Sequence, residues 1–107
     1  MIRPIQLGQA AITASYATVY TTPANTSTYL KDMDVCNTGT TTVNLSISIV
    51  PSAGSASASN ALFFNVPILG GATLQWTGTQ LMPAGSTLQV KGSTTGLTIT
   101  ASGGEAT

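Results

Sequence analysis

Residues 42–49 alternate polar and apolar without a break: Val43, Leu45, Ile47 and Ile49 follow Thr42, Asn44, Ser46 and Ser48 in turn. A period of two places successive side chains on opposite faces of an extended chain. The segment therefore predicts a strand with one buried face and one face turned to water or a partner. Pro51 ends it, because proline has no N–H to give to a central ladder.

Shorter segments repeat the pattern. Strands are predicted at Arg3–Leu7, Ala17–Thr21, Tyr29–Cys36, Leu62–Val66, Thr73–Trp76 and Thr87–Val90, and a last one carries Leu97, Ile99 and Ala101. Pro4 suits an edge position. Asn37-Thr38-Gly39 reads as the turn of a hairpin joining Tyr29–Cys36 to Val43–Val50. Pro67 with Gly70-Gly71 marks another reversal, and Pro83-Ala84-Gly85 a turn with glycine at its permissive position. Ala10–Tyr20 comes nearest to helical spacing, but Thr13, Thr18 and Val19 fit a strand equally well. About eight short strands with regular turn signals predict an all-β, antiparallel β-sandwich, Ig-like or jelly-roll-like.

One such domain accounts for all of residues 1–107. Residues 52–60 (SAGSASASN) are too small to fill a core and are expected as an exposed loop crossing between sheets, with a contact arm as the functional alternative.

Charged residues are only 6% of the chain, with Arg3, Lys31 and Lys91 balancing Asp32, Asp34 and Glu105. Two readings stay open: a hydroxyl-rich surface keeps the chain soluble, or partners cover much of it. No basic footprint for nucleic acid is present. No apolar run approaches the roughly 20 residues of a spanning helix, so no membrane is expected as a partner. Cys36 is the only cysteine, so no intrachain disulfide is expected. Met1-Ile2-Arg3-Pro4 opens no secretory signal, and synthesis in the cytoplasm is expected.

The chain has no histidine, which removes the commonest general base and metal ligand. Asp32 and Asp34 share a strand face, but a hard cation needs more oxygens than two carboxylates supply; solvated edge charges are the plainer reading. Lys31 is expected on the opposite face, and an intersubunit salt bridge from this acidic position to Arg3 or Lys91 is an alternative. Cys36 reads as a buried structural thiol. The glycine pairs lack the spacing of a phosphate-binding loop. No enzyme, cofactor or metal site is expected.

Phe63 and Phe64 are adjacent, so on a strand their rings point to opposite faces. One fills the core. The other is exposed unless a partner covers it, or else the strand is buried on both sides. Candidate interface residues are Phe63, Phe64, Arg3 and Lys31.

The order of Ala17-Thr18-Val19-Tyr20-Thr21-Thr22-Pro23-Ala24, Met33-Asp34-Val35-Cys36-Asn37-Thr38-Gly39, the alternating strand to Val50-Pro51-Ser52, Gly70-Gly71-Ala72-Thr73-Leu74 and Leu81-Met82-Pro83-Ala84-Gly85-Ser86-Thr87-Leu88 resembles the short β-sandwich virion proteins of tailed bacteriophages. The resemblance covers nearly the whole chain. It implies a phage structural protein located in the virion, made in the host bacterial cytoplasm, self-associating as a homotrimer and contacting the major capsid protein or other virion proteins. Its leading implication is a capsid decoration (cement) protein. Alternatives are a neck, collar, tail, baseplate or fibre component, or a carbohydrate-binding attachment module. The family has no catalytic residues to carry over.

Overall fold

The chain folds into eight strands: β1 (Ile2–Ile12), β2 (Ala17–Thr21), β3 (Ser27–Asn37), β4 (Val43–Val50), β5 (Ala61–Ile68), β6 (Thr73–Met82), β7 (Thr87–Gly92) and β8 (Leu97–Ala106). The computed structural model describes residues 2–107; Met1, the first residue of the expected domain, lies outside them. The strands form two four-stranded antiparallel sheets, ordered β1-β8-β3-β6 and β2-β7-β4-β5. Of the two sandwich types expected, this order is the jelly roll: every chain-adjacent pair except β4–β5 is split between the sheets.

The alternation that marked β4 supplies the centre of the core. Val43, Leu45 and Ile47 face Leu88 and Val90 of β7 within one sheet, and Leu30, Met33, Val35, Leu97, Ile99 and Ala101 come from the other. All are at most 1% exposed, so both sheets contribute fully buried layers. Truncating Ile47 to alanine is expected to cost about 2–5 kcal/mol, measured by denaturant unfolding.

Two connections differ from the expected ones. β3 and β4 are not a hairpin, because the chain changes sheet between them. Asn37, fully buried, makes that corner: its Nδ2 donates to Thr41 O at 2.8 Å and Ile68 O at 2.9 Å, and its Oδ1 accepts from Gly39 N at 3.0 Å. β3 is then free to pair with β6 on one side and β8 on the other. Conversely, residues 52–60 join two neighbours of one sheet and do not cross between sheets. Residues 51–55 are exposed, and Ser57 caps a single 3-10 turn, Ala58–Asn60.

The second face of β4 is wet only at Asn44. Ser46 and Ser48 are 4% and 0% exposed, and Val50 is buried outside the main core. The turn 58–60 lies against β4, and Ser46 Oγ accepts the backbone N–H of Asn65, a β5 residue at φ 52°.

Candidate interaction surface

Three regions carry the side chains singled out by sequence. The first closes one end of the sandwich. Arg3 on β1 and Thr28 on β3 flank Glu105 of β8 in the ladder, and Tyr20 reaches across from the other sheet. Arg3 Nη2 donates to Glu105 Oε1 at 2.8 Å, Tyr20 Oη donates to Glu105 Oε2, and Tyr20 and Thr28 share a hydrogen bond of 2.9 Å. Arg3 thus has a partner within its own chain, Glu105.

Hydrogen bonds from Tyr20 and then Arg3 hold the Glu105 carboxyl below the usual carboxylate range. Burial, and next its bond to Glu105, push the Tyr20 hydroxyl up. The signs differ. A depressed carboxyl stabilises the fold above its unfolded pKa, and that contribution fades as pH falls through the folded value. A raised tyrosine contributes below its unfolded pKa, and that contribution is lost as pH rises through the folded value. Glu105→Gln is therefore expected to lower Tm at neutral pH and to flatten the acid side of the Tm–pH profile, the two proteins converging at low pH in a thermal unfolding series.

The second region is the outer face of the β1-β8-β3-β6 sheet. Its register shifts between Leu30 and Asp32 put one extra β6 residue opposite Lys31. Leu30 and Met33 both point inward, so Lys31 and Asp32 fall together between them. The expected strict opposition of Lys31 to the aspartates is lost at this bulge. Lys31 is exposed, donates to Thr79 Oγ1 at 3.1 Å, and borders an open groove of about 520 Å³ with Pro4, Ile5, Gln6, Thr100 and Ser102. Asp34 pairs with Thr100 and Cys36 with Thr98 along the same face. Cys36 is half-buried where a buried thiol was expected, since Val35 and Asn37 occupy the inward positions. Among the described residues, no three or more His, Cys, Asp or Glu side chains are grouped to hold a metal.

The third region is the side formed by edge strands β5 and β6. Phe63 is half-buried against the core, whereas Phe64 is 54% exposed. Leu69 and Leu81 are exposed as well, and Leu62, Leu74 and Trp76 are only partly covered. Pro67, Ile68, Leu69, Ala72, Thr73 and Leu74 line a cleft of about 230 Å³ at the β5–β6 connection. No charged residue occurs from Val35 to Val90, so β5 and β6 carry no charge of their own; the nearest charges are Lys31, which donates to Thr79 of β6, and Asp32 and Asp34 of β3, opposite Thr77 and Gln75. The structure does not gather the four candidate interface residues: Phe63 and Phe64 lie here, Lys31 borders the groove, and Arg3 belongs to the closed end. The charge-free run was the sequence signal for this side, and it is stronger than the Phe pair alone.

No family model matches the chain, and no curated protein matches it. Among solved structures it is similar to a chain in the structure of infectious bursal disease virus, Gx strain, at 10% identity and a TM-score of 0.44. The match covers 98% of this chain and 31% of that one, so the chain spans about a third of the length of the protein it matches. No helix among the described residues is long and apolar enough to cross a membrane.

Proposed function

We propose that the chain is a non-catalytic structural protein of a phage virion, and specifically a decoration protein bound in many copies to the major capsid protein lattice. The observation that carries this reading is the apolar exposure along the edge strands β5 and β6. A soluble monomer ordinarily guards strand edges with charge and keeps large apolar side chains covered. Here Phe64, Leu69 and Leu81 are open, and neither edge strand carries a charge of its own.

Two further features support it. Eight-stranded jelly rolls serve as viral capsid modules, among other roles. The ordered segments that resemble tailed-phage virion proteins map onto β2, the β3–β4 corner, β4, the β5–β6 turn and the β6–β7 turn, the parts that build this sandwich.

Labelling of the chain on intact particles tests the assignment. Label spread over the capsid, with hundreds of copies per particle, is expected. Label confined to the neck, tail or baseplate, with a few dozen copies or fewer, replaces decoration by the tail reading. Saccharide binding by the isolated domain, lost on changing Trp76, would replace both by an attachment module.

A further inference from the structure

We propose that β6 pairs antiparallel with β6 of a second copy about a two-fold axis at Gln75, joining the two β1-β8-β3-β6 sheets into one.

The four edges of the sandwich are not equally available. β1 carries Arg3 and Pro4, β2 is five residues long, and β5 carries Pro67 and register irregularities on both sides of Ile47. Each of these devices discourages pairing with another chain. β6 has ten residues, neither proline nor charge, and a ladder partner only in β3. Its one irregularity begins after Thr77, so Thr73–Thr77 is a regular strand with its outer N–H and C=O groups unpaired by the fold.

The regular stretch is complementary to itself. An antiparallel pair centred on Gln75 sets Leu74 opposite Trp76 of the second copy, and Trp76 opposite its Leu74. These four side chains lie on the core face, where each is only half-buried in the single chain. On the outer face Thr73 meets Thr77, and the two Gln75 side chains meet each other, all of them exposed in the monomer. Aromatic–aliphatic and Thr–Thr pairs are favourable cross-strand neighbours. β6 itself carries no charge; the nearest, Asp32 and Asp34 of β3, lie one strand in from the edge opposite Thr77 and Gln75 and are only half-buried, so the pairing places no ion between the two edges. The resemblance to phage virion proteins implies a threefold ring, whereas this edge is built for a two-fold, isologous contact.

The inference goes beyond the proposed function and does not depend on the particle. A chain that pairs in solution and is absent from virions keeps the two-fold and loses the virion assignment.

Trp76 is the only tryptophan, so the test has its own reporter. Sedimentation of the purified chain over a concentration series is expected to show a monomer–dimer equilibrium, with Trp76 emission shifting to the blue as dimer forms. Gln75→Glu places two like charges face to face at the axis, each beside the Asp34 of its own chain, and is expected to weaken the dimer about tenfold or more. Gln75→Lys weakens it less, because each lysine has Asp34 as its cross-strand neighbour, and an equimolar mixture of the two variants restores the dimer and the blue shift. Residue 75 is exposed, so circular dichroism should show both variants folded. A wild-type chain that stays monomeric or forms trimers overturns the proposal. So does a Gln75→Glu chain that dimerises as tightly as wild type, or a mixture that fails to recover.

Discussion

Gly103→Ala is expected to be the most damaging single-methyl addition to this chain, lowering stability by about 3 kcal/mol or more in denaturant unfolding and reducing the yield of folded protein. Gly103 sits in β8, paired with Ile5 on one side and Leu30 on the other. The bulge after Leu30 brings the β3 backbone in over it, so that a Cβ here would lie 1.9 Å from the carbonyl oxygen of Tyr29. That neighbour is main chain and has no rotamer by which to yield. Either β3 and β8 separate, or the ladder slips; both open the centre of the sheet. Gly71→Ala is the matched control: it faces open space, though at φ +77° it has a local conformational cost. A Gly103→Ala protein as stable as wild type would mean that β3 does not close over β8 in this way.

Asn37→Ala is expected to cost about 3 kcal/mol, since it leaves the buried Ile68 carbonyl and two part-buried backbone groups, of Thr41 and Gly39, without these partners. The Asn37 side chain ties Ile68 O, Thr41 O and Gly39 N together, while its main chain bonds Ala72 O and Gly71 N. One residue thus fastens the β3–β4 corner to the β5–β6 corner. Asn37→Asp keeps the shape and the acceptor but loses both donors, and it places a carboxylate where two carbonyl oxygens point. It should be at least as destabilising as alanine. If Asp were tolerated and Ala not, the contribution would lie in packing and in the Gly39 contact. Hydrogen exchange adds a local readout, because amides of residues 38–42 and 69–72 should lose protection together.

These two residues also mark how far the sequence could be read. Strands are local, and β4 and β2 were legible to the residue from alternation and the prolines that follow them. β1, β3, β6 and β8 run longer than their apolar cores, because Thr, Ser, Gln and Gly extend a ladder without adding hydrophobic signal. Pairing is not local. β1 finds β8 across almost the whole chain, and nothing in Arg3 announces Glu105. Asn37-Thr38-Gly39 has the composition of a hairpin turn. Only the buried amide, reaching Ile68 from 31 positions away, makes it a sheet-to-sheet corner. The burial of Ser46 and Ser48 was hidden for the same reason, since what covers them arrives from β5 and the turn before it.

The candidate surface was legible in part. Adjacent phenylalanines did divide between core and solvent, as the pleat requires, with Phe64 the exposed one. Arg3 and Lys31 were grouped with them because a rare charge invites a role. In the fold each is met within the chain, Arg3 by Glu105 and Lys31 by Thr79. The side that remains open is defined by the charges it lacks.

The central claim, that this chain is built into a virion and does not act as a free protein, is most directly tested by quantitative mass spectrometry of particles purified through two density steps. The expected result is the chain present at a fixed stoichiometry to the major capsid protein, retained after washing in high salt because the contact is made chiefly by exposed apolar side chains. Its absence from the particles, with the chain recovered only from the soluble lysate, would contradict the account.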